Sequence, residues 1–209
     1  IGVGEVAKAA PDGYTLLVTN SSSVTINPQL YKKVAYKSSD LTPVSLVLEA
    51  PFILVSNADW AQKNGVTTFK DLVQFAAQNP SKLNYGSAGT GNIAHLGFAM
   101  LSNRTKVKTT HVPYRSSAQA QMALLSGELE SALDTWTALP HIKGGKLKPF
   151  AVTASKRMAQ LPDVPTVEEL GVSPFQVNFW IGLLAPAGLP APVVQRLYAI
   201  TRSLQDDSA

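Results

Sequence analysis

The run Leu83 to Arg104, LNYGSAGTGNIAHLGFAMLSNR, holds the residues best suited to chemistry, because small polar side chains and glycines join a β-prone segment to a helical one. Ser87, Thr90 and Asn92 donate hydrogen bonds without carrying charge. Gly86, Gly89 and Gly91 can take φ > 0 and let a ligand approach the backbone closely. Ile93, Leu96, Gly97 and Met100 recur at helical spacing. The helix is therefore expected to begin at about Gly91, with the unpaired N–H groups of its first turn facing the loop and its dipole favouring an anion there. The chemistry of such a socket is the binding of a carboxylate or phosphate through Ser87, Thr90, Gly91 and Asn92. The alternative is an ordinary Gly-rich turn between strand and helix.

Nucleotide binding is excluded by two mismatches. A Walker-type loop needs Lys after its last Gly, where this chain has Asn92, and Gly86-Gly89-Gly91 is not the spacing of GxGxxG. A hydrolase would use Ser87 as nucleophile, His95 or His111 as base, and Asp134. Tyr85 stands where the G-x-S-x-G elbow needs its first Gly, so an enzyme is not expected. His95, His111 and His141 make neither H-x-x-x-H nor H-E-x-x-H spacing, so neither a metal nor a cofactor is called for.

The 209 residues, 45% hydrophobic and 15% charged, suffice for one large domain or two small lobes. The net charge of +4 comes from scattered basic residues without a run, which argues against nucleic acid as a partner. With no cysteine, disulfide and thiol chemistry are ruled out. The chain opens Ile1-Gly2-Val3-Gly4 without Met or a leader pattern, which reads as a processed or truncated chain. No run of about 18 apolar residues suggests a membrane-spanning helix.

Strand and helix signals alternate along the chain. Val3, Val6, Ala7 and Ala10 fit the end of a helix, and Tyr14 to Val18 a buried strand followed by the polar loop Asn20 to Ser23. Asn27-Pro28 starts a short helix. Val44 to Val55 reads as two strands, or one bent strand passing between lobes, with a break at Glu49-Ala50-Pro51. Thr68 to Asp71 resembles a capping box for a helix carrying Phe69, Leu72, Val73 and Ala76. Thr109 to Pro113 is a strand. Ser116 or Ser117 caps a helix with Ala118, Met122 and Leu125 on one face, closed by Gly127. Leu129 to Leu133 and Phe150 to Thr153 are further strands, with a short helix at Pro140 to Lys143 between them. Thr166 to Glu169 is a T-x-x-E box for a short helix, Gln176 to Ala185 a strand, and Val193, Leu197, Ile200 and Leu204 one stripe of a last helix. This alternation implies a three-layer α/β fold with a mostly parallel sheet, which binds ligands at the carboxyl ends of its strands. Asn20 to Ser23 and Gly86 to Asn92 are the two loops that meet that condition.

Seven segments in one order resemble the substrate-binding proteins of bacterial tripartite tricarboxylate transporters, the Bug family. They are VAKAAPDGYTLL (Val6 to Leu17), INPQLYKKVAY (Ile26 to Tyr36), NYGSAGTGNIAHL (Asn84 to Leu96), VPYR (Val112 to Arg115), LPHIKGGKLKPFAVT (Leu139 to Thr153), LPDVPTVEELGV (Leu161 to Val172) and WIGLLAPAGLP (Trp180 to Pro190). The resemblance implies a type II periplasmic binding protein fold, two α/β lobes closing on a ligand cleft. Residues 1–50 and 180–209 would form a first lobe, incomplete at both chain ends, and 51–179 a second. It also implies a periplasmic monomer that captures a small carboxylate, a di- or tricarboxylate or an acidic amino acid, and hands it to membrane permease subunits. A ligand-sensing role without transport would use the same site.

Under this resemblance Ser87, Thr90, Gly91 and Asn92 match the family's second-lobe anion loop, and Ser21, Ser22 and Ser23 its first-lobe loop. Asp134, at a strand end, either orients a ligand amine or caps the following turn. Arg115 either pairs with an anionic ligand or serves as a solvated structural partner. His95 either leans back to the socket or fills a helix-to-sheet interface. Phe179 and Trp180 line the cleft or pack the core.

Overall fold

Pro51 and Phe52 break the long apolar run that starts at Leu41, so strand β2 (Leu41–Pro51) ends there and β3 (Ile53–Asn57) begins after a single residue. The chain divides close to this break. In the computed structural model, which describes residues 2–206, one unit comprises Ile1–Glu49 with Phe179–Ala209 and the other Ala50–Asn178.

The first unit contains α1 (Gly2–Val6), β1 (Leu17–Asn20), α2 (Asn27–Leu30), most of β2, β8 (Asn178–Pro186) and α8 (Ala191–Asp206). Its sheet has the order β1-β8-β2, with β1 antiparallel to β8. Its first strand starts later than expected. Gly13 takes φ 89° and Asp12 Oδ1 accepts the Tyr14 N–H, so a turn holds Tyr14, which is 93% exposed. The expected loop after β1 is a π-helical turn, Ser22–Ile26, with Ser21 buried before it. Val6, Leu17, Val24, Leu41 and Leu184 form one core, with Trp180 packed against it. Val44, Ala185 and Leu189 meet Val193, Val194 and Leu197 of α8 in another. The stripe on α8 is only half used, since Ile200 and Leu204 are exposed.

The second unit places β3, α3 (Ala58–Lys63), α4 (Phe69–Gln78), β4 (Asn84–Ser87), α5 (Ile93–Arg104), β5 (Thr110–Pro113), α6 (Ser117–Ser126), β6 (Ser131–Asp134), α7 (Leu139–Lys143) and β7 (Leu147–Val152) around one five-stranded sheet of order β5-β4-β6-β3-β7. The sheet is mixed rather than mostly parallel. β4 runs parallel to β5 and β6, each joined to the next through a crossover helix, whereas β3 is antiparallel to both β6 and β7.

Local signals place the helices. Thr68 and Asp71 form a reciprocal capping box at α4, and the donors around the Asp71 carboxylate, led by the Thr67 hydroxyl, hold it down at about 2. Asn57 caps α3, and its Nδ2 also donates to the Leu124 carbonyl near the end of α6. Ser116 caps α6, which ends on the left-handed Gly127. The buried face of α6 is Ala120, Ala123 and Leu124, while Met122 is 66% exposed, contrary to the expected face. Thr166 and Glu169 exchange the expected capping-box bonds, but over a turn rather than a helix.

Strand alternation sorts the two faces of the sheet. Ile53, Val55 and Ala132 join Ala123, Leu124 and Leu147 in the core on the α6 side. Gly97 of α5 sits so close to Leu133 and Val177 on the other side that a Cβ there would lie 3.0 Å from each. Gly86 plays the matching role on the α6 side. It is a strand residue, absent from the glycines with positive φ, and it is needed for packing: an added Cβ would lie 2.4 Å from Leu129 Cδ2 and 3.3 Å from Ala120 Cβ. Because Leu129 is itself 1% exposed, it has little room to yield. Gly86→Ala is expected to lower stability by about 1–3 kcal/mol, the usual cost of overpacking, measured by urea unfolding.

Candidate anion-binding loop

The pleat of β4 sends Gly86 toward α6 and leaves Tyr85 and Ser87 on the α5 side. The parallel register sets His111 of β5 directly beside Tyr85. His95 and Phe98, three apart on α5, share a helix face and meet this row. Tyr85 stacks on Phe98 with ring centroids 4.0 Å apart and planes within 5°, and His95 stacks on His111 at 3.9 Å and 21°. The Tyr85 ring lies 5.1 Å from His111 and 6.3 Å from His95.

The loop between β4 and α5 turns on Gly89 (φ 113°) and Gly91 (φ 81°), so two of its three glycines serve the backbone role expected of all three. Ser87 is buried at 3% exposure. Its Oγ accepts the Gly89 N–H at 3.2 Å, lies 3.0 Å from the Gly89 carbonyl and 2.7 Å from His111 Nε2. The Gly91 N–H donates to His95 Nδ1 at 3.0 Å, and the Asn92 N–H to the Gly89 carbonyl at 3.2 Å. Asn92 is the residue that caps α5, its Oδ1 accepting from the Ala94 N–H, so the helix begins at Ile93 and not at Gly91. Thr90 is exposed at the tip. The buried face of α5 is Ala94, Gly97, Phe98, Leu101 and Ser102, and Leu96 is exposed at 36%, which shifts the expected stripe.

The loop is thus a self-bonded turn at the mouth of a twelve-residue helix whose first turn carries no acidic side chain. The neighbouring strand-to-helix connection runs beside it, because the Tyr114 N–H donates to the Ser87 carbonyl. That places the exposed Arg115 one residue from the loop's partner, with its own N–H bonded to Gln119 Oε1.

Asp134 lies at the carboxyl end of β6, 7% exposed. One oxygen accepts from Gln121 Nε2 at 2.9 Å, and the other from the Thr135 N–H and the Thr137 hydroxyl. Those bonds serve the capping alternative for this residue. Burial pushes its carboxyl up from the ordinary range, against the opposing effect of its donors. In the first unit Ser21 and Ser22 are buried and Ser23 half-buried, and the Ser21 hydroxyl has no hydrogen-bond partner among the described residues.

Ser87 and His111 stand at the distance of a nucleophile and its base, yet Asp134 does not complete a triad with them. Asp134 is bound to Gln121, Thr135 and Thr137, so it does not orient His111. From the sequence, His95 has two structural alternatives, and His111 enters only as an unmatched metal ligand and, with His95, as a candidate base for Ser87 in a hydrolase that is not expected. A period-two reading of Tyr85 and Ser87 against a parallel partner strand would have put His111 on their face.

Two α/β units, one holding a helix-mouth loop of uncharged donors, define a binding protein. The chain belongs to the tripartite tricarboxylate transporter receptor family, TctC, which it matches over residues 1–209. This is a family of solute receptors and not of enzymes, and the fold is that of periplasmic binding proteins of the TctC and Bug type. Three solved structures show the likeness. MatC from Rhodopseudomonas palustris with bound malate is 33% identical, with a TM-score of 0.88 over 99% of this chain and 70% of that one. Rpa4515 of R. palustris with adipate is 30% identical, TM-score 0.87, over 95% and 66%. The periplasmic binding protein BugD is 33% identical, TM-score 0.86, over 96% and 66%. The chain spans about three fifths of the length of the first curated relatives it matches, 62% and 59%.

Burial is the main force that keeps both imidazoles of the loop uncharged. It lowers His95 below its ordinary 6.5, and burial together with the adjacent His95 brings His111 down to about 4. The unfolded chain takes up these protons near 6.5, the folded one only at lower pH, so stability is insensitive to them above 6.5 and falls as pH drops from 6.5 toward 4. The Asp71 contribution is lost in a separate window, between 3.8 and about 2. Calorimetric melting of the wild type is expected to weaken between pH 6.5 and 4.5, and His111→Phe to flatten that decline.

Proposed function

We propose that this chain is the ligand-capturing receptor of a tripartite tricarboxylate-type transporter. It takes up a small carboxylate, a di- or tricarboxylate or an acidic amino acid, in the periplasm and delivers it as a monomer to membrane permease subunits. The observation that carries this reading is the Ser87–Asn92 loop. It lies at the carboxyl end of a parallel strand, opens into the N-terminus of α5 and offers the Ser87 and Thr90 hydroxyls and the helix dipole in place of a cation, while its Gly91 and Asn92 N–H groups hold the turn together. Donors of this kind satisfy a carboxylate through charge-assisted hydrogen bonds and release it without separating an ion pair. The malate and adipate bound to two structural neighbours support the same ligand class.

Within this reading Ser87, Thr90, Gly91 and Asn92 form the anion loop, and Arg115 adds a solvated positive charge beside it. Ser21, Ser22 and Ser23 are the ligand contacts of the first unit. The buried Ser21 hydroxyl supports that role, because a hydroxyl without a protein partner is costly unless something else meets it. Asp134 keeps β6 and its following turn in place and ties them to Gln121 of α6.

Malate, adipate, citrate, aspartate and glutamate titrated calorimetrically into the 209-residue chain provide the test. At least one is expected to bind. Ser87→Ala is expected to weaken binding roughly ten- to a hundredfold, since a hydrogen bond to a charged group contributes about 1.5–3 kcal/mol. Thr90→Val should weaken it less. Affinity unchanged in both variants would remove the loop from the site.

A further inference from the structure

We propose that His95 and His111 are positioning residues of the Ser87–Asn92 loop, a stacked pair of neutral imidazoles that pins the loop at both ends. His111 Nε2 holds Ser87 where the strand ends, and His95 Nδ1 holds Gly91 where the cap begins. The proposal rests on the reading of this loop as an anion site, and it assigns the pair to shaping the loop rather than touching the ligand.

A turn with two left-handed glycines has many conformations open to it, and its backbone alone does not select one. Here side chains select it. The Ser87 hydroxyl bridges to Gly89 inside the loop, and the two ring nitrogens fix the residues that flank this bridge. Because the rings stack on each other at 3.9 Å, with Tyr85 and Phe98 behind them, displacement of one imidazole disturbs the other. Both ends of the loop are therefore coupled, and an arriving anion meets an ordered loop in which the Ser87 hydroxyl has only to turn from the Gly89 carbonyl to the ligand.

The geometry also fixes the protonation state. Nδ1 of His95 accepts a hydrogen bond, so the proton of the neutral ring sits on Nε2. For Ser87, the arrangement that satisfies every group has His111 Nε2–H donating to Oγ and the hydroxyl donating to the Gly89 carbonyl. A second proton on His95 would replace the acceptor for Gly91 with a donor, and two charged rings at stacking distance would repel. Among the described residues, Tyr85 on β4 is the titratable group in ring contact with the pair, and burial is the leading cause of the lowered pKa of both rings. Acid should therefore release the loop, beginning at Gly91.

Nitrogen-detected NMR of the 209-residue chain, with amide exchange at Gly91 and malate titration, tests this directly. The wild type should show His95 as the neutral Nε2–H tautomer at pH 7. His95→Phe keeps a ring in the stack but removes the acceptor; it should speed Gly91 exchange at least about tenfold and weaken malate binding by a similar factor. His95→Gln, which can supply an oxygen acceptor that does not titrate, should restore much of the affinity and remove its decline below pH 6. A His95 that is charged or carries its proton on Nδ1 at pH 7 would overturn the proposal, even if the variants fail to fold. So would malate affinity equal in wild type and His95→Phe. If the wild type binds no malate while the tautomer and Gly91 exchange behave as stated, the clamp stands and the choice of ligand fails.

Discussion

The sandwiching of β4 between α5 and α6 is the constraint from which the site follows. Its four residues must present no bulk toward α6, where Gly86 lies against Leu129 and Ala120, and a row of side chains toward α5, where Tyr85 and Ser87 lie. The pleat permits only that division. Once Tyr85 is stacked on Phe98, the register with β5 brings His111 alongside, and the helical repeat brings His95 over it. The loop geometry is thus a consequence of packing on both faces of one short strand.

An anion can be held in such a place without a counter-ion because the helix mouth supplies oriented dipoles and the surrounding groups stay neutral. A buried cation would bind more strongly but would need its own compensation when the ligand leaves. Keeping the histidines uncharged by burial fits the same logic, since it leaves no fixed charge to trap a carboxylate. Arg115, exposed and beside the loop, lies where it can attract an anion through solvent without forming a buried pair.

Much of this was legible in the sequence, for physical reasons that differ from residue to residue. Capping chemistry is local, so Thr68 with Asp71, Ser116 and Gly127 marked their helix ends correctly. The break at Pro51 was visible because Pro and its neighbours interrupt an apolar run. Family resemblance carried the receptor class. What stayed hidden depended on partners distant in sequence. Nothing local says that β3 would run against its two neighbours, that Gly86 would serve packing while Gly89 and Gly91 serve the turn, or that Met122 would face outward. The Thr166 and Glu169 box formed its bonds without a helix because capping satisfies a first turn but does not supply the packing that propagates one. The stacking of His111 on His95 was hidden most fully, since it exists only through strand register and the packing of α5 on β4 and β5.

Docking of a carboxylate at the mouth of α5 can be followed by titrating the isotope-labelled chain with malate and adipate and recording amide chemical shifts. The largest movements are expected at the amides of residues 87–92, with the far end of α5 around Arg104 unmoved. Saturable binding that leaves 87–92 unmoved and shifts another surface of the protein would contradict docking there.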